Sequence, residues 1–399
     1  MIVALAMLLA GPATPVTYRL DDGRAQPGET RVERDRGYRD GYGYEPGGGR
    51  RFSVALPEGN WQVTVTLGDR RAATTTVKAE ARRLMLDRVA TGGGKRVTRS
   101  FVVNTRTARL APPPENAPGG TIVRLKPREM ASPTWDDRLT LELLGDGAVS
   151  TLRIEPASVP TLYLVGDSTV TDQQAEPAAS WGQMLPAFLD DKVAVANHAE
   201  SGETLKSFVT ELRLDKVLST IKPGDWLFIQ FGHNDQKAQW PQTYVEANTT
   251  YRAYLNAYIA EAKRRGAKPV LVTSPERRNF DGNGRIKPSL GDYPAAVRAA
   301  AQEAGVPVID LNRMSVAIYE ALGPERSPLA FNDGGKDRTH HNNYGAWLLA
   351  RGVVEGIRAL PGLAGHVTAP RFDPARPPLP AEVAIVPSSA RSDERPDGN

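Results

Sequence analysis

The sequence contains no cysteine. That absence removes disulfides, thiolate metal sites and cysteine nucleophiles together, while leaving the compartment open. Long hydrophobic runs are equally scarce. The apolar stretch at residues 1–10 is half of the roughly twenty residues that a membrane helix needs, and no other segment comes close, so no membrane span is expected. Charge of one sign is lacking too: 50 basic and 46 acidic residues leave a net charge of +4, which demands no nucleic-acid groove.

What is present fits a globular protein of two domains, since 399 residues exceed the usual size of one. Residues 1–13, an apolar run closed by Gly11-Pro12-Ala13, read as the remnant of a secretory signal that lacks its basic start. They point to a secreted or periplasmic protein.

Residues 16–156 carry strand patterns and turns but no long helical period. Trp61 to Leu67 alternates strictly between apolar and polar residues, the mark of a half-buried strand. Leu139, Leu141 and Leu143, with Thr140 and Glu142 between them, repeat the pattern. The region reads as a separate all-β sandwich domain. Two stretches, residues 24–51 and 111–120, are rich in glycine, charge or proline and read as surface loops.

Over residues 160–368 short apolar runs alternate with helical stretches: residues 162–165, 193–195, 226–229, 269–272 and 306–309. Such runs suit strands buried on both faces of a parallel sheet, giving a three-layer α/β domain. Residues 369–399, with Pro370, Pro374, Pro377, Pro378 and Pro380 and then a Ser-, Arg- and Asp-rich end, read as a disordered tail.

Four segments carry chemistry. Gly166-Asp167-Ser168 follows the first α/β strand directly, which places Ser168 at a strand's carboxyl end, where open α/β sheets build their sites. Asp337 and His340 lie three apart at a helix entrance. From that compact turn the carboxylate can orient one imidazole nitrogen and leave the other to act as base. The segments around Gly202 and Asn234 follow the second and third strands and offer amide donors for an oxyanion. Each segment alone also fits a polar turn or a helix cap. All four at one edge of one sheet do not.

In this order the segments resemble the four blocks of the SGNH/GDSL hydrolase superfamily, a flavodoxin-like α/β fold, with Ser168, Gly202, Asn234 and His340 matching its name-giving residues. More narrowly, Gly166-Asp167-Ser168-Thr169-Val170, Ser180-Trp181-Gly182-Gln183, Lys206-Ser207-Phe208, Gln230-Phe231-Gly232-His233-Asn234-Asp235 and the Asp-x-Thr-His at Asp337 are similar to rhamnogalacturonan acetylesterases. The resemblance implies a triad of Ser168, Asp337 and His340, with oxyanion donors on Ser168, Gly202 and Asn234. It implies a serine esterase acting on an acetylated polysaccharide or oligosaccharide, with no metal or organic cofactor. The sandwich resembles the galactose-binding-like domain found beside such esterases, and Tyr42, Tyr44 and Trp61 are its candidates for stacking on sugars.

One departure concerns the substrate. Family members often carry Arg-Ser after the second-block glycine, where this chain has Glu203-Thr204. A Glu203 facing the cleft would repel a galacturonate carboxylate, which favours acetylated xylan or another neutral glycan. Three further readings stay open: a lipolytic esterase of the same superfamily, a non-catalytic carbohydrate-binding protein, and a metal site built from His233, Asp235, His340 and His341.

Overall fold

The computed structural model describes residues 14–46, 50–112, 119–392, 394 and 396. The signal-like residues 1–13 lie outside them.

The first ten strands are β1 (Val16–Arg19), β2 (Glu29–Arg31), β3 (Tyr42–Tyr44), β4 (Arg51–Ala55), β5 (Gly59–Leu67), β6 (Ala73–Ala79), β7 (Arg83–Thr91), β8 (Val97–Thr105), β9 (Arg138–Gly145) and β10 (Val149–Pro156). They form two five-stranded sheets, β2-β1-β10-β5-β8 and β3-β4-β9-β6-β7, antiparallel except for the β1–β2 pair. Both sheets feed one core, with Val63 and Val65 from the first against Phe52, Val77 and Leu141 from the second. The stretch expected to be loop between residues 24 and 51 contributes β2, β3 and the buried Val32.

The strand β5 alternates as its sequence requires, with Trp61, Val63, Val65 and Leu67 inward. In β9 the alternation hides a second buried face, because Thr140 and Glu142 are as buried as the leucines between them. The cover on that face is the rest of the chain.

The α/β region holds β11 (Thr161–Gly166), β13 (Ala194–Asn197), β14 (Trp226–Gln230), β15 (Lys268–Val272) and β16 (Val308–Ile309), together with a small pair, β12 (Ala178–Ala179) and β17 (His341–Asn342). The five strands are parallel in the order β13-β11-β14-β15-β16, which is the doubly wound order of flavodoxin-like sheets. Leu162 and Leu164 pack under helices Leu311–Arg326 and Asn343–Ile357, while Tyr163 and Val165 pack under Arg252–Arg264 and Tyr293–Ala304. Burial on both faces explains the continuous apolar runs in the sequence.

The tail departs from the expected disorder. Residues 369–392 run over both regions: Tyr344 donates to the Pro378 carbonyl, Ser388 N–H to Glu176 and Ser389 to Glu142. Phe372, Val383 and Ile385 pack on the α/β core, and the main chain at Ser388 and Ser389 donates to two buried carboxylates. Glu176 is the hub, pairing with Arg82 at 2.7 Å and Lys78 at 3.6 Å from the sandwich.

Candidate functional site

Strand β11 ends at Gly166, where the chain must turn sharply beside β14. A Cβ at Gly166 would lie 2.6 Å from the Gln230 carbonyl oxygen, so only glycine permits this approach. Asp167 then turns inward and Ser168 stands at the sheet's carboxyl edge. Asp167 Oδ1 accepts the N–H and hydroxyl of Thr169, and its Oδ2 faces His233 Nδ1 at 3.2 Å.

At the far end of the region, Asp337 Oδ1 accepts the amides of Thr339 and His340, closing a tight turn. That turn aims His340 at both neighbours: its Nδ1 lies 2.8 Å from Asp337 Oδ2 and its Nε2 lies 2.9 Å from Ser168 Oγ. All three residues are buried. Burial works against a charge on Asp337, yet the hydrogen bonds from His340 and Thr339 outweigh it and hold the carboxyl below its usual range. Asp337 therefore stays an acceptor for Nδ1–H, and the lone pair of Nε2 faces the serine hydroxyl.

The other two segments arrive at the same edge. Gly202 follows β13 in the left-handed region, φ 82°, and Asn234 follows β14. The side-chain amide of Asn234 is oriented at both ends, with Nδ2 donating to the Glu203 carbonyl at 3.0 Å and Oδ1 accepting from Lys237 at 3.2 Å. Among the described residues, neither the Ser168 nor the Gly202 N–H meets an acceptor. The structure brings Ser168, His340 and Asp337 into contact and sets the Gly202 and Asn234 segments after the two strands that flank β11.

Comparison with known proteins agrees. Residues 164–348 match the model of the GDSL-like Lipase/Acylhydrolase family. Rhamnogalacturonan acetylesterase RhgT of Bacillus subtilis is 43% identical over 195 residues, which is 46% of this chain and 82% of that protein. The chain belongs to this GDSL family. The probable rhamnogalacturonan acetylesterase YesY of B. subtilis is 40% identical across 45% of this chain and 83% of that protein. The uncharacterized esterase YxiM of B. subtilis is 29% identical and spans more, 79% of this chain and 75% of its own length. This GDSL protein is a carboxylic ester hydrolase.

The geometry bears on three readings that the sequence left open. Glu203 does not face a cleft: it is buried, with Oε1 2.5 Å from Lys126 Nζ and Oε2 accepting from Ser207. Trp61 is core, its indole N–H donating to the Pro57 carbonyl. Tyr42 and Tyr44 are half-buried, their rings against Tyr18 and Phe52. The histidines proposed as metal ligands are engaged separately, His233 with Asp167 and Pro275, and His341 with Tyr319 at 2.7 Å.

Sequence reasoning missed the contacts that join the motifs to one another and the groups that brace them from outside. Trp181 donates to Gln230, which donates to Thr169. Arg83 of the sandwich meets Asp172 at 2.6 Å, and Asp172 holds Asn197. Lys126 and Arg128 reach the Gly202 loop. These partners lie 25 to 89 positions apart, beyond the reach of any spacing rule, so nothing in the sequence marked the pairs.

Proposed function

We propose that this esterase removes O-acetyl groups from a cell-wall polysaccharide, with acetylated rhamnogalacturonan as its substrate, through a Ser-His-Asp acyl-enzyme mechanism. The observation that carries the reading is the continuous line from Asp337 through His340 to Ser168, with contacts of 2.8 and 2.9 Å. The substrate follows from the 43% identity to a rhamnogalacturonan acetylesterase and from the burial of Glu203, which removes the charge conflict with a uronate.

In the first half-reaction Ser168 Oγ attacks the acetyl carbonyl as His340 Nε2 takes its proton, and Asp337 stabilises the resulting imidazolium. Negative charge develops on the carbonyl oxygen, where the Ser168 and Gly202 N–H groups and the second Asn234 amide hydrogen can donate. Collapse breaks the bond to the sugar oxygen, which receives the proton from His340. Water, deprotonated by the same His340, then attacks acetyl-Ser168 and releases acetate.

The test is acetate release from acetylated rhamnogalacturonan and acetylated xylan, with wild type and Ser168→Ala in parallel. Release from rhamnogalacturonan that disappears in the variant is the expected result. Faster release from xylan would move the substrate to a neutral glycan. A preference for hexanoate or longer synthetic esters over acetate would overturn the carbohydrate reading, and no release from any ester would favour a binding protein.

A further inference from the structure

The loop 201–203 that carries the proposed Gly202 donor is held by the sandwich region. Between β8 and β9 the chain forms a 3-10 turn, Pro127–Ala131, which leans on this loop. Lys126 Nζ donates to the Ser201 carbonyl oxygen at 2.6 Å, and Arg128 donates to the same oxygen at 2.9 Å. Arg128 also pairs with Glu200 at 2.6 Å and Lys126 with Glu203 at 2.5 Å. Beneath them Glu129 pairs with the buried Arg213 at 2.6 Å, and Arg213 lies 3.6 Å from Glu203. Every charge on the loop is answered by one from the other side.

The Ser201 carbonyl and the Gly202 N–H belong to one peptide unit, which is planar with the two groups pointing in opposite directions. Fixing the oxygen with two cations therefore fixes where the N–H points. The two positive charges also polarise the peptide and make its N–H a stronger donor. We propose that Lys126 and Arg128 are positioning residues for the oxyanion donor at Gly202, so that the N-terminal β region completes the esterase site and is required for its turnover. This rests on the reading of Gly202 as an oxyanion donor.

The side chains of Lys126 and Arg128 are 23% and 33% exposed, so their replacement leaves no apolar cavity. The experiment uses the full chain with 4-nitrophenyl acetate, comparing wild type, Lys126→Gln, Lys126→Arg and the double variant Lys126→Gln/Arg128→Gln. Phosphonylation of Ser168 by a 4-nitrophenyl alkylphosphonate ester, which expels 4-nitrophenolate, provides a second rate that uses the same hole. Expected are a kcat at least tenfold lower in the double variant with KM changed less than threefold, a parallel fall in phosphonylation, and most of the activity retained in Lys126→Arg. A kcat within twofold of wild type in the double variant, or a lowered kcat with unchanged phosphonylation, would overturn the proposal. Should the double variant fail to fold, the same criteria decide on Lys126→Gln against Lys126→Arg. An inactive wild type would overturn the esterase reading and this inference together, whereas an active wild type with unaffected variants overturns this inference alone.

Discussion

His233 sits against Asp167 with Nδ1 3.2 Å from the carboxylate, and its Nε2 lies 2.9 Å from the Pro275 carbonyl oxygen. Both ring nitrogens face acceptors, which fixes the ring at each end. Asp167 is fully buried one residue before Ser168, and burial opposes its charge, but the neighbouring His233 lowers its pKa below the ordinary carboxylate range. Replacing His233 with leucine leaves that carboxylate buried without its partner, which costs about 3–5 kcal/mol. Urea unfolding checks this. A loss under about 1 kcal/mol would mean that Asp167 does not depend on the ring.

The triad contacts make a kinetic prediction. Ser168→Ala and His340→Ala are each expected to lower kcat by about 10⁴–10⁶, since members of such a unit fail together. Asp337→Asn should cost about 10⁴, because the amide favours the wrong imidazole tautomer. Hydrolysis of 4-nitrophenyl acetate at saturating substrate gives all three values, and a residue whose loss costs less than tenfold is not in the triad.

Asp235 gives a pH signature. Its Oδ1 accepts the Leu205 N–H, and its Oδ2 has no partner among the described residues. Burial, reinforced by the Asp167 carboxylate, raises its pKa to about 7. An unfolded Asp titrates near ~3.9, so between about pH 4 and 7 the folded state holds a proton that the unfolded chain lacks. Stability then falls as pH rises through that window. Asp235→Asn abolishes this titration, so its Tm relative to wild type should improve by several degrees from pH 5 to pH 8. A pH-independent difference would show that Asp235 does not titrate there.

Glu176 ties the tail to both regions. Glu176→Gln leaves Lys78 and Arg82, both buried, without their carboxylate and is expected to cost about 3 kcal/mol. The same change should speed tryptic cleavage after Arg391, whose segment pairs with residue 176. Unchanged cleavage would mean that the tail is held by its other contacts.

Most of the α/β region was legible. Runs such as 226–229 are short, apolar and bounded by polar turns, and a strand buried on both faces leaves no other choice. The edge of the sheet was legible because Ser168, Gly202 and Asn234 each follow a strand directly. The sandwich was legible where one face meets solvent, as at β5, and misleading at β9, where Glu142 looks like a surface residue and is buried. Tail residues 388–392 carry no apolar signal at all. Their order comes from hydrogen bonds to Glu142 and Glu176, which no local pattern encodes.

The sequence by itself determined which groups are available for the proposed chemistry, because Ser168, His340, Asp337 and the amide donors are local groups fixed by residue type and by position after a strand. The tertiary structure alone decided the electrostatics around them. Whether Glu203 repels a substrate or braces a loop depends on Lys126, 77 positions earlier. Charge interactions act through space at a few ångströms and take no account of separation along the chain, so only the packed molecule shows which charges meet.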